Sequence, residues 1–143
     1  MMTPTTLEHT VTFAAVLPTL IIGHHLGDYW IQTDHQAKTK GAPGAPGRHA
    51  CAQHVATLTM TLTLALVALA GVTGLHLPHT QVAIALMVNA ASHYWADRRT
   101  TLAALARRAG KGAWIESDKA ALPHLDQAWH LYWLGITALI IAS

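Results

Sequence analysis

Residues 50 to 75 contain the run HVATLTMTLTLALVALAGVTGL, with no acidic or basic side chain other than His54. A helix that crosses a bilayer needs about 20 mostly apolar residues, and this run meets that requirement. Three other stretches approach it. The C-terminal stretch, DQAWHLYWLGITALIIAS, is the next clearest, and residues 80 to 97 form a third that ends in HYWADR. The first, from about Leu7 to Trp30, has a short purely apolar part that includes Pro18. It spans only if His24, His25 and Asp28 lie inside the helix, with neighbouring helices satisfying the carbonyl that the proline frees. The sequence therefore predicts four spans, at about 7–33, 50–75, 80–106 and 122–143, in one domain over residues 1–143.

Composition agrees. Apolar residues make up 52% of the 143 residues and charged residues 11%, against about 25% charged in a typical soluble domain. A formal charge of +2 points to no nucleic-acid partner, and the single cysteine, Cys51, excludes an internal disulfide. No Lys or Arg precedes the first apolar run and no convincing cleavage site follows it, so the first segment is expected to be retained.

Three loops join the spans. The first, KTKGAPGAPGR, reads as a polar turn segment, and the second, around GLHLPH, is short. The third runs from Arg98 to about Pro123. Its start, TLAALARR, is expected to continue the third helix until Gly110 and Gly112 end it. All nine basic residues fall in the first and third loops: Lys38, Lys40 and Arg48, then Arg98, Arg99, Arg107, Arg108, Lys111 and Lys119. In a four-span chain these two loops share a side, and the positive-inside rule makes that side cytoplasmic. The expected fold is an all-α integral-membrane four-helix bundle with two basic cytoplasmic loops and both termini outside.

This topology gathers the polar residues. His24 and Asp28, His93 and Asp97, and Asp126 and His130 are each four apart, hence on one helix face. Spans one and three end at the cytoplasmic side, and spans two and four begin there. At about 1.5 Å per residue, His93 is roughly 8 Å from Arg98 and His54 roughly 9 Å from Arg48. The three pairs and His54 thus share one shallow layer. A charge near the bilayer centre costs at least about 2.5 kcal/mol, so seven such groups are expected to face one another. They can be satisfied by a mutual hydrogen-bond network or by a metal. Mixed imidazole and carboxylate ligands favour zinc first, with iron or manganese as further candidates. Pairs at i,i+4 can supply two ligands to one ion, and helix bundles build metal sites from facing helices. The candidate ligands are His24, Asp28, His54, His93, Asp97, Asp126 and His130, enough for one ion with acid–base groups to spare or for two.

Other residues are assigned smaller parts. His25 lies about 100° round the helix from His24 and is expected at the interface. Asn89, Gln32 and Gln127 are candidate second-layer partners of the ligands, or plain interhelix hydrogen bonders. The threonines of span two are expected to bond their own backbone, and the tryptophans fit an interface belt.

The order LIIGHHLGDYWIQTD, an early histidine in span two, SHYWAD and DQAWH resembles a family of small bacterial and phage membrane proteins catalogued as domain of unknown function 3307. The resemblance covers roughly Leu20 to Leu139. It implies a bacterial cytoplasmic membrane and makes His24, Asp28, Gln32, His54, His93, Asp97, Asp126, Gln127 and His130 the signature positions. Where this chain has His25, the family is more often apolar or aromatic, which favours His24 as the inward residue. The family brings no established activity.

Three functions are consistent with these residues. A metal-dependent hydrolase would use an ion to activate water, with Asp97 or Asp28 as general base. Its substrate would be a lipid or amphipathic molecule, whose anionic head group Arg98 and Arg99 could hold. Topology alone also explains those arginines. A non-catalytic module would use the cluster as a structural network or metal staple and act through a partner. A small proton or metal transporter subunit would need ionisable groups deeper in the bundle. Four short spans around a polar centre also suit a homo-oligomer.

Overall fold

The structure, a computed structural model, describes residues 3–143. Its described elements are all helical: α1 (Pro4–Leu26), a π turn (Gly27–Ile31), α2 (Asp34–Thr39), α3 (Gly44–Thr73), α4 (His79–Asp97), α5 (Thr100–Arg108), α6 (Gly112–Ser117) and α7 (Ala121–Ile141). Four long helices form a ring in which α1 packs on α3, α3 on α4, α4 on α7 and α7 on α1. The ends of α1 and α4 meet the starts of α3 and α7, so neighbours run antiparallel.

Each long helix contributes to one apolar core: Val16 and Leu20 from α1, Leu58, Leu62 and Leu66 from α3, Ala85 and Leu86 from α4, and Leu134, Ala138 and Ile141 from α7. The outer surface is apolar as well. Val72 is 88% exposed and Trp30 84%, and Ile22, Met60, Leu64, Val67 and Met87 also face outward. Two helical segments are long and apolar enough to cross a membrane, Thr5–Ile31 and Gly44–Thr73. α4 and α7 have 19 and 21 residues, but inward-facing polar residues such as His93, Asp97 and His130 dilute their apolar content.

Small residues set how close α1 and α3 come. A Cβ on Gly23 would stand 3.1 Å from Leu62 Cδ2, and one on Gly27 would stand 2.3 Å from Leu58 Cδ1. This is the small-xxx-small spacing that lets helices approach closely. The threonines of α3 turn back on their own helix as expected: Thr57 donates to His54 O, Thr59 to Val55 O, Thr61 to Thr57 O and Thr63 to Thr59 O.

The connections differ from the sequence expectation in three places. The first loop holds α2, whose start is a capping box: Gln36 N donates to Thr33 Oγ1 at 3.2 Å and Thr33 N to Gln36 Oε1 at 2.9 Å. The Gly-Ala-Pro repeat is not all turn. Its second copy forms the first turn of α3, where Pro46 forfeits no intrahelical bond. The third helix does not run on to residue 106. It stops at Asp97, Arg99 takes a positive φ of 56°, and a separate α5 buries Leu102 and Ala106. Gly110, at φ 78°, ends α5 by allowing Lys111 N to reach Ala106 O at 2.9 Å. Gly112 instead begins α6.

Candidate functional site

In every long helix the apolar core gives way to a histidine one turn away: Leu20 to His24, Leu58 to His54 and Leu134 to His130, with buried Asn89 leading to His93 on α4. The four histidines are buried together at the end of the bundle that also carries α2 and the start of α5. His93 and His130 stack at 3.9 Å between ring centres, and His24 lies 5.0 Å from His130. His25, adjacent in sequence, is exposed and turns its Nδ1 to Ile21 O at 2.8 Å.

The carboxylates reach this layer from three helices. Asp28 comes from the π turn, where Gln32 N bonds Gly27 O at 2.9 Å. Such wide turns re-aim side chains and recur at functional sites. Asp28 Oδ1 lies 3.0 Å from His54 Nε2 and 3.9 Å from His93 Nε2, and its Oδ2 lies 3.7 Å from His24 Nε2. Asp97 Oδ2 lies 3.1 Å from His93 Nε2 and 3.3 Å from His54 Nε2, and its Oδ1 lies 3.8 Å from His130 Nε2. Asp126 Oδ2 lies 3.4 Å from His130 Nε2, and its side chain is 22% exposed. All seven candidate ligands are therefore brought together.

Some of these contacts are hydrogen bonds and others are not. His54 Nε2 and His93 Nε2 are hydrogen-bonded at 3.1 Å, the tautomers deciding which donates. Asp28 Oδ1, Asp97 Oδ2, Asp126 Oδ1, His130 Nε2 and both ring nitrogens of His24 have no hydrogen-bond partner among the described residues. A buried polar atom left this way costs about 1–3 kcal/mol. Donor atoms of His54, His93 and Asp97 lie within 4.8 Å of one another, as do those of His24, Asp28, His93 and His130, and those of Asp97, Asp126 and His130. These are the groups that could hold a metal.

The second-layer candidates separate. Gln127 Nε2 donates to Asp28 Oδ2 at 3.3 Å. Gln32 lines the adjoining cleft with its Nε2 unpartnered. Asn89 is buried one turn from His93. The arginines part company too. Arg98 donates to Lys40 O at 2.5 Å and Ala42 O at 2.6 Å, so its guanidinium clamps the α2–α3 turn and does not line the adjoining cleft. Arg99 does line it, while donating to Ala37 O at 3.2 Å.

One residue of the site was not expected. Lys40, placed by sequence only among the loop cations, is buried with its Nζ 2.9 Å from Asp97 Oδ1. The clue was arithmetic of charge: three aspartates in one buried layer call for a cation. Trp129, read from sequence as a belt residue, has a packing role that was not expected: its Nε1 donates to Ser92 Oγ at 2.9 Å and braces α7 against α4. A cleft of about 430 Å³ opens onto the cluster. Asp28, Asp97 and Asp126 line it, and Lys40, Arg99 and Lys119 supply its basic groups.

These features define a class: an all-helical protein, with two helices apolar enough to cross a membrane, that buries a histidine–carboxylate centre at one end of a four-helix ring. The chain belongs to the family described as protein of unknown function (DUF3307), which it matches over residues 16–143, a span that contains every residue of the centre. No curated protein and no solved structure matches the chain.

Proposed function

We propose that this protein is a four-span membrane protein of the bacterial cytoplasmic membrane. In this reading both termini lie outside, and a divalent-metal centre at the cytoplasmic side hydrolyses a lipid or amphipathic substrate. The membrane part is supported by the outward apolar side chains on all four long helices and by the two long apolar segments. The basic residues of the α2–α3 turn and of α5 lie at the end where the cluster opens, which fits the positive-inside rule.

The metal part is carried by one observation. His54 Nε2, His93 Nε2, Asp28 Oδ1 and Asp97 Oδ2 are separated by 3.0, 3.1, 3.1, 3.3 and 3.9 Å over five of their six edges. Tetrahedral zinc with ligands at about 2.0–2.1 Å has edges of about 3.3 Å. The two carboxylate oxygens lie that close to ring nitrogens without making hydrogen bonds, as ligands aimed at a common ion would. Charge points the same way. Three aspartates against Lys40 leave an excess of two negative charges with the histidines neutral, which one divalent ion offsets.

An ion held by these four ligands would have to expand to a fifth position to take up and acidify water from the cleft. Asp28 and Asp97, each facing two or more histidines, serve this geometry as ligands. With this one ion bound, Asp126, partly exposed and with Oδ1 unpartnered, is the better placed proton acceptor. Arg99 and Lys119 at the cleft suit an anionic head group. A non-catalytic staple is the second reading, favoured by the Lys40–Asp97 pair, which already ties the α2–α3 turn to α4. Transport is disfavoured by the apolar core that fills the rest of the bundle.

The test is metal content. Protein purified in mild detergent without a nickel column should carry zinc, iron or manganese near stoichiometry, and His54→Ala and His93→Ala should lose it while remaining folded. Folded wild-type protein that takes up no metal after resupply would overturn the reading.

A further inference from the structure

We propose that the centre holds a second divalent ion, on its α1–α7 side, with Asp28 and Asp97 bridging the two positions. This rests on the metal reading above and extends it to residues that the first ion leaves unused.

The two aspartates are each spread between two sets of histidines. Asp28 turns Oδ1 to His54 and His93 and Oδ2 to His24, and Asp97 turns Oδ2 to His54 and His93 and Oδ1 to His130. One oxygen of each carboxylate thus belongs to the α3–α4 side and the other to the α1–α7 side. A single ion between His54 and His93 would leave the second set without a function. That set is buried and unsatisfied: His24 and His130 are 1% and 2% exposed, and neither Nε2 has a hydrogen-bond partner. His130 Nε2 has Asp126 Oδ2 at 3.4 Å and Asp97 Oδ1 at 3.8 Å, and His24 Nε2 has Asp28 Oδ2 at 3.7 Å. These spacings are up to about half an ångström wider than a closed tetrahedral edge of about 3.3 Å, as suits a position that keeps room for water. Asp97 Oδ1 also meets Lys40 Nζ at 2.9 Å, so an ion on this side shares that oxygen with the ammonium.

The arrangement is that of two-metal hydrolytic sites, in which ions about 3.5–4 Å apart share carboxylates and clamp two oxygens of one substrate group. Charge then selects the ligand. The first ion offsets the excess of negative charge, and the second creates a positive excess that hydroxide or a substrate oxyanion must balance. The cleft, with Arg99 and Lys119 at its side, opens on that same region.

The experiment titrates metal-stripped protein in mild detergent with Mn²⁺, counting bound ions by mass spectrometry and recording the electron paramagnetic resonance spectrum. Two equivalents and an exchange-coupled spectrum are expected for the wild type. The double variant His24→Ala/His130→Ala should bind one equivalent with an isolated-ion spectrum, and Asp126→Asn should weaken only the second equivalent. One equivalent with an isolated-ion spectrum in the wild type would overturn the second position and leave the first reading standing. No uptake of Mn²⁺, nor of Zn²⁺ in a parallel titration, would overturn both. If the double variant does not fold, the wild-type count and spectrum still decide.

Discussion

Lys40→Met removes the cation that the buried aspartates face. Lys40 Nζ and Asp97 Oδ1 are 2.9 Å apart, with side chains 9% and 1% exposed. At that distance and an effective dielectric of about 20, their attraction is about 6 kcal/mol. Relief of the ammonium's desolvation offsets part of it, and breaking such buried pairs costs about 3–5 kcal/mol net. Asp97 also has His54 and His93 within 3.3 Å, which places the expected loss near the low end, about 3 kcal/mol, in metal-free protein. A bound ion takes over much of the compensation, so the loss in metal-loaded protein should shrink to about 1 kcal/mol. Reversible unfolding in detergent with increasing sodium dodecyl sulfate, followed by helical circular dichroism with and without zinc, measures both. A metal-free variant within about 0.5 kcal/mol of wild type would refute the ion pair. An equal loss in both states would refute the claim that lysine and ion share Asp97.

Three further outcomes follow from the geometry. Gly47→Ala places a Cβ 1.9 Å from Ala42 O, a backbone atom held by Arg98, so it should cost about 2–3 kcal/mol and lower the thermal midpoint; an unchanged midpoint would show that the turn is not so tightly held. Ser92→Ala strands the indole N–H of Trp129 and should cost about 1–2 kcal/mol in the same unfolding assay, whereas Ser92→Thr, which keeps a hydroxyl, should cost less. Metal affinity should fall as pH drops below about 6, because imidazole and carboxylate bind metal deprotonated and acid returns protons to them. A chromogenic chelator would detect the released ion, and release on raising the pH instead would contradict the ligand set.

Most of the centre was legible because its signal is local. A pair four apart on a helix shares a face whatever the rest of the chain does, and alternating helix direction then brings the ends of α1 and α4 to the starts of α3 and α7. His24–Asp28, His93–Asp97 and Asp126–His130 needed nothing more. Lys40 was illegible because its role depends on where a turn folds back, and that turn is held by Arg98 from a residue 58 positions away. The break at Arg98–Arg99 was hidden for the same reason. TLAALARR has good helix propensity and would continue α4, but Arg98's bonds to the turn and Leu102's burial compete with continuation and win. Composition overstated the uniformity of the four long helices, since α4 and α7 bury polar residues such as Asn89, His93, Asp97 and His130 on the inward face.

The ring order also bears on how the chain assembles. The α1–α3 hairpin emerges with His24, Asp28, Lys40 and His54, and the α4–α7 hairpin with His93, Asp97, Asp126 and His130. The lysine of the first half has its carboxylate in the second. Within the centre the first hairpin balances one aspartate with one lysine, whereas the second carries two aspartates and no cation, so docking lends the second half a positive charge and brings the two sets of histidines together. An unfinished chain holds its lysine without the carboxylate that receives it, and only the joined pair brings the two together.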